Sequence, residues 1–122
     1  MKTKTTVEIS SEGRVAIVSF ASASISDVEE ITNASVAIRQ YAQTYSPQAF
    51  VFDFSGVKFF SSQVLGLLLE ARGHVKPHGG RVSICALDSQ LQRVFRITNL
   101  DRIFTFHPDR QAALAASSAQ DR

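Results

Sequence analysis

The sequence predicts an α/β fold, a β-sheet opened by an N-terminal hairpin and covered by about four helices. Three observations predict it. Two alternating apolar segments flank Glu12-Gly13 before any helical pattern begins. After them, apolar runs too short for helices alternate with segments of helical period. Serine-led capping signals then open two of the helical segments. Strands joined through helices pair in parallel across right-handed crossovers. This pattern leaves open whether all the helices share one face.

Taken in order, Val7 and Ile9 alternate with Glu8 and Ser10, as in a half-buried strand. Residues 14–20 alternate again, with Val15, Ile17 and Phe20 inward. Residues 21–25 are small and polar and read as a loop. Ser26 and Glu29 form a capping box. Val28, Ile31, Ala34, Ile38, Tyr41 and Tyr45 then make one apolar helix face, which Ser46-Pro47 ends. Val51, Phe52 and Phe54 are a buried strand with a single charge, Asp53. Ser55-Gly56 breaks it, and Val57, Phe59 and Phe60 return to the core.

One serine of Ser61-Ser62 opens the next helix as N-cap. Val64, Leu65, Leu67, Leu68 and Leu69 wrap most of that helix, so it is buried or meets a partner on one side. It runs out near Gly73. Residues 76–80 form a turn and residues 81–86 a strand. Ser89 and Gln92 are a second capping box, with Leu91, Val94, Phe95 and Thr98 facing inward and Asn99 as a left-handed C-cap. Ile103, Phe104 and Phe106 form a short last strand. Pro108 suits the first turn of a final, alanine-rich helix over 112–116. The whole chain, 1–122, reads as one domain with an ordered core of about 7–116 and a frayed tail from Ser117.

Thirteen Lys and Arg against eleven Asp and Glu give a formal charge of +2, with no basic run that would track phosphates. Direct nucleic-acid binding therefore has no compositional support. Cys85 is alone, which excludes an internal disulfide and fits a reducing compartment. No apolar segment reaches the ~18 residues of a membrane span, and none follows the N-terminal lysines as in a signal peptide. The expectation is a soluble, cytoplasmic protein without membrane insertion.

Candidate chemistry is sparse. Asp53 reads as a general acid or base, or as a carboxylate held by backbone N–H groups at a strand end, the commoner role. His74 and His78 share a surface turn but have no third metal ligand in view. Cys85 reads as a small core residue. Arg93, Arg96 and Arg102 read as a solvated face or as a patch for an acidic partner. No Walker-type glycine loop and no nucleophile–base set appears, so neither a cofactor nor an enzyme is expected.

Residues 51–69 carry a resemblance. Asp53-Phe54-Ser55, followed by Ser62, Leu65 and Gly66, resembles the signature of the STAS family, the domain of sulphate transporters and anti-sigma factor antagonists. The likeness continues through Gly79-Gly80-Arg81, residues 94–98 and residues 100–104. It implies a STAS-like mixed β-sheet with an N-terminal hairpin and the helices on one face. It places the phosphorylated serine of the bacterial antagonists on Ser62, with Ser61 in reserve. The family acid before that serine is Ser61 here, the second family serine is Gln63 and the following glycine is Val64. Relatives also carry an aspartate in the loop that here holds Ser22 and Ser24.

The function implied is that of an anti-sigma factor antagonist. Such a protein binds an anti-sigma factor that is often a serine kinase and so frees the sigma factor. The kinase phosphorylates the serine and ends binding, and a serine phosphatase restores it. Ser22, Ser24, Ser55, Gly56, Ser61, Ser62, Gln63 and Val64 would form the docking face. The alternatives are a constitutive STAS scaffold or accessory subunit of a transporter or signalling complex, and a small-ligand or nucleotide-binding regulator.

Overall fold

Gly13 sits at φ +59°, and there the chain turns from β1 (Val7–Glu12) into β2 (Val15–Phe20). The two strands pair antiparallel. In this computed structural model, which describes residues 7–119, β4 (Ala49–Asp53), β6 (Val82–Cys85) and β7 (Thr105–His107) add to β2 in parallel. The order across the five-stranded sheet is β1-β2-β4-β6-β7. Residues 21–25, expected as a plain loop, contain a two-residue strand. This β3 (Ser24–Ile25) pairs in parallel with β5 (Phe59–Phe60) in a separate small sheet.

The helices are α1 (Val28–Tyr45), α2 (Gln63–Val75), α3 (Ser89–Ile97) and α4 (Arg110–Ala119). They do not share one face. Phe50 and Phe52 of β4 point with Ala16, Val18, Val82 and Ile84 toward the buried sides of α1, α2 and α3. Val15, Ala49, Val51 and Cys85 point the other way and pack on Ala113 and Leu114 of α4. Both faces are thus covered, and Val15, Ala16, Ile17 and Val18 are all buried rather than alternately exposed. Each fully buried phenylalanine of β4 contributes roughly 1.5–3 kcal/mol.

The helix starts also differ from expectation. Asp27, not Ser26, caps α1, its carboxylate accepting from the Glu29 amide at 3.1 Å. Asp88, not Ser89, caps α3, accepting from the Gln90 amide at 2.9 Å. Asp109 accepts from the Ala112 amide at 2.8 Å, so Pro108 lies outside α4. A carboxylate accepts as well as a hydroxyl and adds its charge at the positive end of the helix dipole. The core stripe of α1 is Ile31, Ala34, Ile38 and Ala42, while Val28 and Tyr45 lie out in solvent at either end.

Asn99 takes the left-handed conformation expected of it, at φ +63°. Helix α2 passes Gly73 and ends at Val75. Helix α4 continues through Ala119 with Ser117 buried, where the sequence predicts fraying from Ser117. The last strand begins at Thr105, because Leu100–Arg102 forms a 3-10 turn. A Cβ on Gly80 would lie 1.9 Å from the Gln48 carbonyl oxygen, so only glycine passes there into β6.

Candidate functional site

Strand β4 delivers the site. Asp53 is its last residue and is buried. One carboxylate oxygen accepts from the Ser55 amide at 2.9 Å and from the Ser55 hydroxyl. The other accepts from Arg110 Nε at 2.8 Å, at the start of α4. Burial raises the Asp53 pKa, but the two Ser55 donors and the Arg110 guanidinium outweigh it and hold the carboxyl below its ordinary value. A carboxylate so engaged is a structural clamp that shapes the Ser55-Gly56 turn. Arg110 went unrecognised in the sequence, because 57 residues separate the pair and neither neighbourhood signals the other.

Beyond the clamp, Gly56 takes φ +79° and the chain returns to the small sheet. The Lys58 and Phe59 amides donate to the Ala23 carbonyl at 2.7 and 3.2 Å. The Ser61 amide donates to the Ile25 carbonyl at 2.9 Å. These bonds bring the Ser22 and Ser24 loop against residues 58–61, a juxtaposition expected from the resemblance. The two-residue strand alternates, so Phe60 enters the core while Phe59 turns outward and is 53% exposed. Phe59 was expected inside.

The two serines differ. Ser61 is half-buried, and its Oγ is buried without a hydrogen-bond partner among the described residues. Ser62 is exposed and stands at the start of α2 with φ −60° and ψ −20°. Its hydroxyl makes no capping bond, contrary to expectation, because the residue is already helical rather than extended. Gln63, Ser55 and Gly56 are also exposed. Val64, expected on the docking face, is fully buried and points to the core.

Next to Ser62 a groove of about 210 Å³ runs between α1 and α2, lined by Val28, Ile31, Thr32, Gln63, Gly66 and Leu67. Exposed Val28 and open Gly66 leave its mouth unobstructed. The Arg39–Glu70 pair at 3.1 Å closes its far end, Glu70 also lining the groove.

The other sequence candidates do not join this site. Cys85 is buried, and burial together with the Asp53 carboxylate pushes its thiol up to about 12, which disfavours the thiolate a nucleophile needs. No group of three His, Cys, Asp or Glu stands together among the described residues, His74 and His78 included. Arg96 lines a cleft with Asp101, and Arg102 lines a different cavity. Among the described residues, no helix is long and apolar enough to cross a membrane.

Residues 6–113 match the family model of the STAS domain. The chain belongs to the STAS domain family. Its fold is similar to that of a STAS domain anti-sigma factor antagonist protein from Planctomyces limnophilus, with a TM-score of 0.83 and 21% identity over 94% of this chain and 99% of that one. An anti-sigma factor antagonist from Mycobacterium paratuberculosis matches with a TM-score of 0.79 and 26% identity, covering 93% of each chain. The phosphorylated form of the Bacillus cell fate determinant SpoIIAA matches with a TM-score of 0.69 and 14% identity over 90% of this chain and 98% of that one. This STAS domain thus shares its architecture with antagonists along nearly their whole length.

Proposed function

We propose that this STAS domain is an anti-sigma factor antagonist whose binding is switched by phosphorylation of Ser62. The observation that carries the reading is the state of that serine: exposed, at a helix N-terminus, with its hydroxyl unengaged. Phosphate there adds ~1.5–2 negative charges where the helix dipole favours them, and α2 has no acidic residue in its first turn to repel them. The fold tolerates the modification. A partner seated across Phe59, Gln63 and the α1–α2 groove with apolar or acidic groups does not.

The partner is an anti-sigma factor that also acts as a serine kinase, with a serine phosphatase reversing the mark. The protein then acts in the cytoplasm on sigma-dependent transcription, as a ligand rather than a catalyst. The named relatives, all antagonists, support this reading. Ser61 is the poorer acceptor because its hydroxyl is buried.

Peptide-resolved mass spectrometry of the protein from its own cells, in growth and in stress, tests the proposal. Phosphate on Ser62 that changes between conditions is the expected result. Phosphate on Ser61 keeps the switch and moves its residue. A fully covered, unmodified peptide in every condition sinks the switch. It then favours a constitutive scaffold, for which the exposed apolar Phe59 and Val28 are the supporting surface.

A further inference from the structure

At the other end of the sheet from Ser62 lies a cavity of contrasting chemistry. It holds about 440 Å³, within the ~300–1,000 Å³ of small-ligand clefts. Its walls are the C-terminal end of α2, the Gly79-Gly80 turn into β6 and the segment that enters β7. Arg72, Lys76, Arg81 and Arg102 line it, and no Asp or Glu does.

None of these four cations forms an ion pair among the described residues, whereas Arg39, Lys58 and Arg110 each meet a carboxylate. A chain with 13 basic and 11 acidic residues has no general excess that would produce such a cluster. The dipole at the end of α2 accounts for Arg72 and Lys76. It does not account for Arg81, at the entry to β6, or Arg102, at the end of the 3-10 turn. Buried Val82 and Phe104 supply apolar wall between them. Gly80 passes so close to Gln48 that the turn presenting Arg81 has no room for a side chain there.

From this convergence we infer that the cavity binds a polyvalent phosphate-bearing anion. Guanidinium groups meet phosphate oxygens in a two-pronged arrangement, and Lys76 adds a point charge. Binding relieves the mutual repulsion of the cations. The anion is either a free small molecule or the headgroup of a lipid, and the two share this chemistry. The site lies at the opposite end of α2 from Ser62 and shares no residue with the Ser62 switch.

The test uses the full chain and sodium tripolyphosphate as probe, by isothermal titration calorimetry at low salt. One saturable site is expected, weakened at least tenfold in the double variant Arg81→Gln/Arg102→Gln and unchanged in Ser62→Glu. Both arginines are exposed, so the variant folds, and circular dichroism checks this. Flotation with phosphatidylcholine vesicles, with and without phosphatidylinositol bisphosphate, separates the sources. Co-flotation that needs both the bisphosphate and the two arginines assigns the headgroup. Saturable tripolyphosphate binding without co-flotation assigns a free anion. Absence of both, or equal binding by the wild type and the double variant, overturns the inference.

Discussion

Helices α1, α3 and α4 begin in one way and α2 in another. Asp27, Asp88 and Asp109 each place a carboxylate on a backbone amide of the first turn. Asp27 and Asp88 adopt the extended ψ that capping requires, 122° and 144°. Ser62 has ψ −20° and no capping bond. Asp53, one strand end away, is likewise fully engaged, by Ser55 and Arg110. The aspartates hold the scaffold, and the start of α2 keeps a neutral, unengaged hydroxyl at an uncompensated positive helix end. The proposed phosphorylation gains from that state, because the added charge then displaces no existing bond.

The largest effect tests the engaged side of this comparison. Asp53→Ala strands the Ser55 amide and the Arg110 guanidinium, and is expected to cost about 2 kcal/mol in urea unfolding. Because the folded pKa of Asp53 is lowered, its contribution is complete above the unfolded carboxylate value, near 3.8. The contribution is lost as pH falls from there through the folded value. An Asp53→Asn protein should therefore show a flatter acid limb than the wild type in a stability–pH series.

Cap removal comes next. Asp27→Ala and Asp88→Ala should each cost about 1 kcal/mol by thermal unfolding. Gly66→Ala goes the other way. Gly66 lies in a helix with nothing within 4 Å of an added Cβ, so alanine should raise stability by about 0.4–1 kcal/mol. The same methyl group narrows the α1–α2 groove. Affinity for the proposed anti-sigma partner, measured by surface plasmon resonance, should fall while stability rises.

The smallest effect is the sharpest. Ser62→Ala should change stability by less than about 0.5 kcal/mol. A loss as large as that of Asp88→Ala would mean that the hydroxyl caps α2 in solution, and the contrast between helix starts would collapse.

Helix periods, the Gly13 turn, the left-handed Asn99 and the strand order of alternating apolar runs were all legible as local patterns. The placement of the residues proposed for docking was legible only in outline. Ser22 and Ser24 do lie beside residues 58–61, yet the phase of the two-residue strand, which turns Phe59 out, has no signal in a run of adjacent apolar residues. Val64 likewise reads as surface or core until the rotation of α2 is known.

Residue order alone determined the α/β class, the hairpin, the parallel pairing and the placing of the serines at a helix start, because each follows from backbone sterics and apolar period over a few residues. Only the tertiary structure decided that α4 covers the opposite face and that Arg110 clamps Asp53. It alone separated an exposed Ser62 from a buried Ser61 hydroxyl, and drew Arg72, Lys76, Arg81 and Arg102 around one cavity. Those features depend on residues distant in the chain meeting at fixed angles, and a local pattern carries no information about the angle.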